Sequence, residues 1–161
     1  EVRRRAGIWS NYNSGLVCPN DASNMFSNCT NLTTIPLLDT SNVTNMYQMF
    51  SGCTNLTTIP LLNTSSVTDM RYMFTSCSNL TNIPQLDTSS VTNASEMFYG
   101  CSKLTTIPLL NTSNVTNMNS MFQNCTSLTT IPLLDTSNVT NMYYMFWRLY
   151  KFIRNTIIKY K

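Results

Sequence analysis

Cysteines recur every 24 residues in this chain, and a ladder of thiols at one spacing can bind a metal, form disulfides or pack inside a core. The ladder consists of Cys29, Cys53, Cys77, Cys101 and Cys125. A zinc site needs clustered ligands such as a C-x2-C pair, and the chain has neither that spacing nor any histidine. Thiols stacked about 4.8 Å apart with parallel side chains fit the disulfide torsion poorly. We predict buried free thiols, with no metal and no other cofactor, and a bridge between Cys29 and the sixth cysteine, Cys18, stays open.

A second column places oxygen atoms at the same spacing. It reads Asp39, Asn63, Asp87, Asn111 and Asp135. An Asp followed by Thr and Ser is typical of an Asx turn, and alternation with Asn halves the stacking of like charges. Calcium held between successive units is the alternative, although the glycine-rich loops of calcium-binding solenoids are absent from the sequence.

Threonine forms two further columns, which could order water on a flat face and bind ice. One reads Thr44, Thr68, Thr92, Thr116 and Thr140, and the other reads Thr34, Thr58, Thr106 and Thr130. Threonine is also common in exposed strands, because its branched side chain suits a pleated surface. Ice binding is therefore a minor alternative.

Three columns vary from unit to unit, and they carry the candidate binding residues. They read Tyr47/Arg71/Ser95/Asn119/Tyr143, Gln48/Tyr72/Glu96/Ser120/Tyr144 and Ser51/Thr75/Tyr99/Gln123/Trp147. Tyrosines among small polar residues give a large contact area at little entropic cost, as recognition surfaces do. The predicted binding residues are Tyr47, Arg71, Tyr72, Glu96, Tyr99, Tyr143 and Tyr144. An unconstrained solvent-exposed face would vary in the same way.

Other functional classes find little support in the composition. With no histidine, no nucleophile motif, no phosphate loop and dispersed carboxylates, we predict that the chain is not an enzyme. Residues 6–147 hold six acidic and two basic side chains, so the net charge of +3 comes from the two ends. Any case for nucleic acid rests on those ends. Because the rest of the chain is acidic, we predict no nucleic-acid partner. No uncharged apolar run reaches the roughly 18 residues of a membrane span, so we predict no membrane span. Residue 1 does not open a signal peptide.

The elements that must position these residues follow from the repeat. Five near-identical units of 24 residues cannot each bury their own apolar face, so they must stack as a solenoid of five to six coils. Within a unit, "NLTTI" favours a short strand that ends at Pro36, "NVTN" a second short strand, and "MYQMF" after the cap Asn45 a short helix. The predicted fold class is an α+β repeat solenoid whose coils each contain a strand, a turn, a short strand and a short helix.

The apolar columns that do not vary form the predicted core, because each side chain must fit between copies of itself. These structural columns begin with Cys29, Leu32, Ile35, Leu38, Val43, Met49 and Phe50. The column that begins with Leu37 changes to Gln85 in the third unit, which makes its burial less certain.

The unit "LTTIPLLDTSNVTNMYQMFSGC" resembles the BspA-like leucine-rich repeats of bacterial surface proteins, in the branch with the signature TSxVTNMxxMFxGCxxL. The matching residues are Thr40, Ser41, Val43, Thr44, Asn45, Met46, Met49, Phe50, Gly52, Cys53 and Leu56, and the resemblance covers about residues 22–147. It implies a right-handed leucine-rich-repeat solenoid on a bacterial cell or phage virion surface, with adhesion or ligand binding as its role. It implies no catalytic residues.

These observations together predict a non-catalytic, extracellular or surface-displayed adhesion module that recognises a host protein or glycan through the variable columns. The runner-up is a structural component, such as a virion fibre or filament subunit, that self-associates end to end through an open last coil. The predicted organisation is a leader or cap over residues 1–21, the solenoid over 22–147 and a basic non-repeat tail over 148–161.

The tail generates the first testable prediction, because we hypothesise that it is a frameshifted sixth repeat. With permitted codons, a frame one nucleotide later reads Gly-Cys-Thr-Ser-Leu over residues 148–152 and Ile-Pro-Leu-Leu-Asn-Thr over residues 155–160. That peptide matches the repeat at 11 of 13 positions once the two intervening residues are counted. Sequencing the gene tests it: codons that do not spell the repeat in the shifted frame exclude the hypothesis.

Overall fold

The computed structural model describes residues 15–150 and the backbone of residues 158–159. It contains four two-residue strands, namely β1 (Leu16–Val17), β2 (Leu38–Asp39), β3 (Leu134–Asp135) and β4 (Ile158–Lys159). Strand β1 pairs in parallel with β2, and β3 pairs in parallel with β4. Among the described residues there is no helix. The coils are joined instead by turns, isolated bridges and side-chain hydrogen bonds.

The segments predicted as short helices form what we call turn ribbons, which are residues 21–28, 45–52, 69–76, 93–100, 117–124 and 141–148. In residues 45–52, the N–H groups of Met46, Gln48, Phe50 and Gly52 donate to carbonyls of the next coil over 2.8–3.0 Å. A helix would direct these N–H groups to its own preceding turn. Gln48 also has a φ of 54°, outside the helical range. The short helix predicted for each α+β coil is therefore not formed in these segments, because alternate N–H groups donate to the next coil instead.

The two predicted short strands of each coil are also shorter than expected or absent. The "NLTTI" segment is not a strand, and only single bonds such as Thr57 N–H to the Thr33 carbonyl (3.2 Å) link it to its neighbours. The "NVTN" segment becomes a ladder of one-residue parallel bridges, of which Asn45 to Asp69 is typical. Each coil turns again within a few residues, so a longer strand ladder does not develop.

The core is built from columns of identical side chains. Five phenylalanines of one column are fully buried, and the rings of the whole column stack nearly parallel with centroids 5.4–6.3 Å apart. The column reads Phe26, Phe50, Phe74, Phe98, Phe122 and Phe146. Val43, Met49 and the later ladder cysteines are fully buried too, whereas Cys29, Leu32 and Ile35 in the first unit are partly buried against the same core. Leu37 is exposed, so the column that it begins lies outside the core.

The ladder cysteines form no disulfide within the described residues and pack in the core or, at Cys29, against it. The Cys53 Sγ donates to the Phe26 carbonyl of the preceding coil at 3.0 Å, and the same bond recurs at Cys77, Cys101 and Cys125 over 3.0–3.1 Å. Burial raises the pKa of Cys53 to about 12, so this thiol stays protonated and able to donate. Neither Cys18 nor Cys29 forms a disulfide within the described residues.

A buried threonine column holds the coils together beside β2, where the middle coils form no strand ladder. It reads Thr40, Thr64, Thr88, Thr112 and Thr136, each no more than 6% exposed. The Thr40 hydroxyl donates to the Asn63 carbonyl at 2.9 Å, and the Asp87 N–H donates to the Thr64 hydroxyl at 2.8 Å. The prediction of an Asx turn gave Thr40 no buried role, although the invariance of its column was a sign of burial.

The described part of the tail keeps the backbone register of the repeat. Arg148 has a φ of 61° and occupies the position of Gly52 and Gly100, which have φ values of 74° and 72°. Strand β4 pairs Ile158 with Leu134, a separation of 24 residues. Residues 1–14, 151–157 and 160–161, and with them most of the predicted leader and tail, lie outside the described residues. The gene sequence remains the test of the frameshift.

Phe74→Ala is expected to lower the free energy of unfolding by about 3–5 kcal/mol, because it removes a fully buried ring from the middle of the stack. Urea denaturation followed by circular dichroism measures the change. Phe146→Ala is the matched control. Its ring is partly exposed and stacks on one described neighbour at 6.3 Å, so we expect a smaller loss. Equal losses for the two variants would contradict a continuous stack.

Candidate functional site

The three variable columns lie on the outward side of the turn ribbons. Within residues 45–52, Met46, Met49 and Phe50 are buried while Tyr47 and Gln48 are partly exposed. The left-handed conformation of Gln48 turns the chain so that two consecutive side chains face outward. A β-strand would send them to opposite faces. Such a ribbon presents a pair of neighbouring side chains to solvent, whereas in residues 93–100 and 117–124 one member of the pair, Ser95 or Ser120, is buried.

A first cluster forms around the single salt bridge within residues 15–150. The Arg71 guanidinium donates to both Asp69 carboxylate oxygens over 2.6–3.1 Å. Its central carbon lies 5.1 Å from the centroid of the Tyr47 ring, and the Tyr72 ring meets Tyr47 edge to face at 5.6 Å. A guanidinium paired with a carboxylate and stacked on an aromatic face has little freedom left. The cluster is therefore ordered before any ligand arrives.

Glu96 extends this cluster into the next coil. The Tyr72 hydroxyl and the Glu96 carboxylate lie close enough for each to shift the pKa of the other. Burial raises the pKa of Glu96, and burial together with the neighbouring Glu96 carboxylate raises the pKa of Tyr72. Asp69 and Glu96 each contribute one formal negative charge and Arg71 contributes one positive charge, so the group has a formal net charge of −1. We call Tyr47, Asp69, Arg71, Tyr72 and Glu96 the Tyr47–Glu96 cluster.

A second aromatic cluster lies on the last described ribbon. Tyr143, Tyr144 and Trp147 are 64, 45 and 52% exposed. The rings of Tyr143 and Tyr144 are 4.0 Å apart, and that of Trp147 is 5.3 Å from Tyr144. A hydrogen bond with Tyr144 raises the pKa of Tyr143. We call these three residues the Tyr143 cluster.

The region between the two clusters is not a continuous aromatic strip. Ser95 and Ser120, which belong to the variable columns, are buried. Tyr99 is partly exposed and makes no ring contact with another aromatic residue among those described. The structure thus brings six of the seven predicted binding residues into two separate groups: Tyr47, Arg71, Tyr72 and Glu96 share a group with Asp69, while Tyr143 and Tyr144 share one with Trp147. Tyr99 stands apart.

Asp69 belongs to the site although it was not among the predicted binding residues. The Asp69 column otherwise reads Asp21, Asn45, Asn93, Asn117 and Asn141. At most of these positions the side-chain oxygen caps the N–H two residues later, as Asn45 does for Tyr47 at 2.9 Å. Asp69 makes the same cap to the Arg71 N–H at 3.0 Å and binds the guanidinium in addition. An Asp in an Asn column two residues before the arginine was the available signal.

The other candidate oxygen sites are occupied by bonds within the protein. The Asp39 carboxylate accepts bonds from the Ser41 N–H and hydroxyl at 3.1 and 2.7 Å, and these lower its pKa. Within the described residues, no group of three acidic or cysteine side chains could hold a metal ion. In the Thr44 column, the hydroxyls of Thr44, Thr68, Thr116 and Thr140 donate to carbonyls of the preceding coil over 3.1–3.4 Å.

Three comparisons place these features among known proteins. Residues 20–107 and 79–161 match the family described as "Mycoplasma protein of unknown function, DUF285". A leucine-rich repeat protein from Eubacterium ventriosum ATCC 27560 has a similar structure, with a TM-score of 0.57, 23% identity, 78% of this chain covered and 33% of that chain. A T. pallidum leucine-rich repeat protein gives a TM-score of 0.45 at 18% identity, with 81% of this chain and 76% of that chain covered. No curated protein matches the sequence.

The Eubacterium structure shows the fold alone: this is a repeat protein of the leucine-rich-repeat type. The chain spans about a third of the length of that relative. Within the described residues, no helix is long and apolar enough to cross a membrane.

Glu96→Gln is expected to raise the thermal midpoint at pH 7 and to leave it unchanged at pH 3. Because burial raises the Glu96 pKa on folding, stability from this group is complete below the unfolded pKa and is lost as the pH rises through the folded value. Glutamine keeps a hydrogen-bond acceptor for Tyr72 without the charge. Calorimetry at both pH values measures the effect.

Asp69→Asn is the control for this experiment, and it should lower the midpoint at pH 7 because it breaks the pair with Arg71. A midpoint for Glu96→Gln that is unchanged or lower at pH 7 would contradict the assignment of a desolvated carboxylate.

Proposed function

We propose that this chain, which belongs to the family described as "Mycoplasma protein of unknown function, DUF285", is a non-catalytic binding module. It recognises a protein or a glycan through the Tyr47–Glu96 cluster on the side of a leucine-rich-repeat-type solenoid. The resemblance to BspA-like repeats supports display on a cell surface and a role in adhesion.

One observation carries this proposal, namely that two tyrosine rings, a guanidinium and two carboxylates are held together on one outward patch. Tyr47 and Tyr72 offer apolar ring surface, against which a sugar ring or an apolar side chain can pack. Arg71 and Glu96 supply a donor and an acceptor beside the rings. Since the Asp69 pair and the Tyr47 ring already hold Arg71, little side-chain entropy is lost on binding.

The cluster differs from catalytic sites in its electrostatics. Arg71 is neutralised by Asp69, and the charged form of Glu96 is disfavoured by burial rather than activated by a base. Neither carboxylate has a second acidic partner of the kind that general acid and base catalysis uses. These features support recognition over chemistry.

End-to-end assembly as a filament or fibre subunit is the second candidate. In its favour, the N–H groups of Met142, Tyr144 and Phe146 make no hydrogen bond within the described residues, although the matching groups of earlier ribbons pair with the next coil. Against it, Phe26 in the first ribbon is fully buried. Stacking a second copy in the same register would require that ring to be accessible. The lateral cluster is therefore the better supported site.

Tyr47→Ser/Tyr72→Ser is expected to reduce binding to glycan and host-protein arrays at least tenfold, because both ring surfaces are lost (about 1.4 kcal/mol or more). Tyr143→Ser/Tyr144→Ser is the matched control, with the same chemical change on the Tyr143 cluster. Circular dichroism checks that both variants fold. Unchanged binding by the first variant, or an equal loss in the control, would exclude the Tyr47–Glu96 cluster as the binding site.

A further inference from the structure

The coils expose a row of leucines on a face that the proposed binding function does not use. Leu37, Leu61, Leu109 and Leu133 expose 59, 69, 64 and 44% of their surface, while the leucine that follows each of them is buried. Gln85 holds the same position in the middle coil and is also exposed. We call these five residues the leucine stripe. At about 4.8 Å for each coil, it runs roughly 19 Å along the solenoid.

The size of the stripe sets it apart from scattered surface leucines. Four side chains that are about half exposed present on the order of 400 Å² of apolar surface in total, as one pair on each side of Gln85, and that total is the size of a functional patch on a monomer. Within the described residues, no lysine or arginine lies in the repeat positions that flank the stripe. The flanking columns hold the hydroxyl and amide side chains that begin with Thr34 and the Asp/Asn series that begins with Asp39.

Gln85 indicates what kind of surface covers the stripe. Its Nε2 donates to the Leu109 carbonyl at 2.7 Å and to the Leu86 carbonyl at 3.2 Å. Its Oε1 accepts no bond within the described residues, and the amide lies at a groove of about 500 Å³ between the third and fourth coils. An entirely apolar partner would bury that oxygen without a donor, which is unfavourable. A second glutamine amide supplies both a donor and an acceptor.

We propose that the leucine stripe is the interface of a two-fold dimer of this chain, with the solenoids side by side and parallel. In this arrangement each leucine of the stripe packs against the same leucine of the partner subunit, and Gln85 packs against Gln85 of the partner subunit. It also places the Thr34 column of one copy against the Asp39 column of the other, so that hydroxyl donors meet carboxylate acceptors. The antiparallel arrangement would oppose Asp39 and Asp135, which carry like charges.

A single polar residue in an apolar seam specifies register, because any slip would bury its amide against leucine. Gln85 has this role in the dimer. The buried area predicts the strength of association. The leucines of the stripe supply on the order of 400 Å² per partner, about half of the roughly 800 Å² per partner of a standard interface. We therefore expect a weak dimer whose population rises with concentration.

Sedimentation velocity of the full chain at about 5–500 µM tests the dimer, over a range that brackets a micromolar dissociation constant. The wild type should shift from monomer to dimer, and Leu61→Asp/Leu109→Asp should stay monomeric at every concentration. Thr68→Asp/Thr116→Asp is the matched control, since it adds the same charges to exposed positions of the same two repeats, and it should dimerise like the wild type. A monomeric wild type, or a dimer that survives Leu61→Asp/Leu109→Asp, overturns the proposal.

Cysteine cross-linking tests the parallel register in protein that circular dichroism shows to be folded. Leu37→Cys should form a disulfide-linked dimer on oxidation with copper phenanthroline, because the two new thiols face each other. Thr68→Cys should not. The native ladder thiols from Cys53 to Cys125 are buried, and Thr68→Cys measures any background from the partly buried Cys29. A dimer in which Leu37→Cys does not cross-link overturns the parallel arrangement. The array experiment on Tyr47 and Tyr72 is independent of this result, so either proposal can fail alone.

Discussion

Each inward side chain of this protein packs on a copy of itself one coil away, and the rest of the structure depends on that constraint. A core of ordinary design fits unlike shapes together, but here a phenylalanine must fit a phenylalanine at 5.4–6.3 Å and a cysteine must reach the same carbonyl in every coil. A change in one coil leaves a mismatch on both of its neighbours. The near identity of the units is therefore a packing requirement.

The backbone hydrogen bonds between neighbouring turn ribbons all run in one direction. Every second N–H of a ribbon points to the following coil, so each ribbon has donors on one side and acceptors on the other. The bonds from residues such as Thr68, whose N–H and hydroxyl both bond to the Thr44 carbonyl, run the opposite way. The two sets oppose each other's dipoles, and together they bond each coil to the next without a regular sheet or helix.

Much of this architecture could be predicted from the sequence, because a stacked column must not change. The repeat, the phenylalanine and methionine columns and the protonated thiols all follow from invariance. The short helix in "MYQMF" could not be excluded in the same way, since the left-handed φ of Gln48 and Tyr72 belongs to residues that rarely adopt it. Invariance also does not distinguish a buried column from an exposed one, since the exposed column from Thr44 to Thr140 is as regular as the core.

For the candidate site, variability located the columns but not the contacts. Tyr47 and Tyr72 stand in different columns, and their edge-to-face contact depends on how far one coil is shifted across the next. The same is true of Tyr72 and Glu96. Such diagonal neighbours are set by the lateral offset between coils, which no spacing along the chain reveals. Asp69 was missed for a related reason, because its column serves mainly to cap the ribbon.

The identical interfaces between coils have a consequence for how such a gene can change. If every coil packs on its neighbour in the same way, a whole unit can be duplicated, deleted or exchanged by unequal crossing-over and no core contact is altered. Only the outward pairs, such as Tyr47 with Gln48 or Arg71 with Tyr72, would be reordered. Recombination between repeats would thus produce new surface patterns on an unchanged scaffold, and the same near-identical DNA would make slips of the reading frame a recurrent risk.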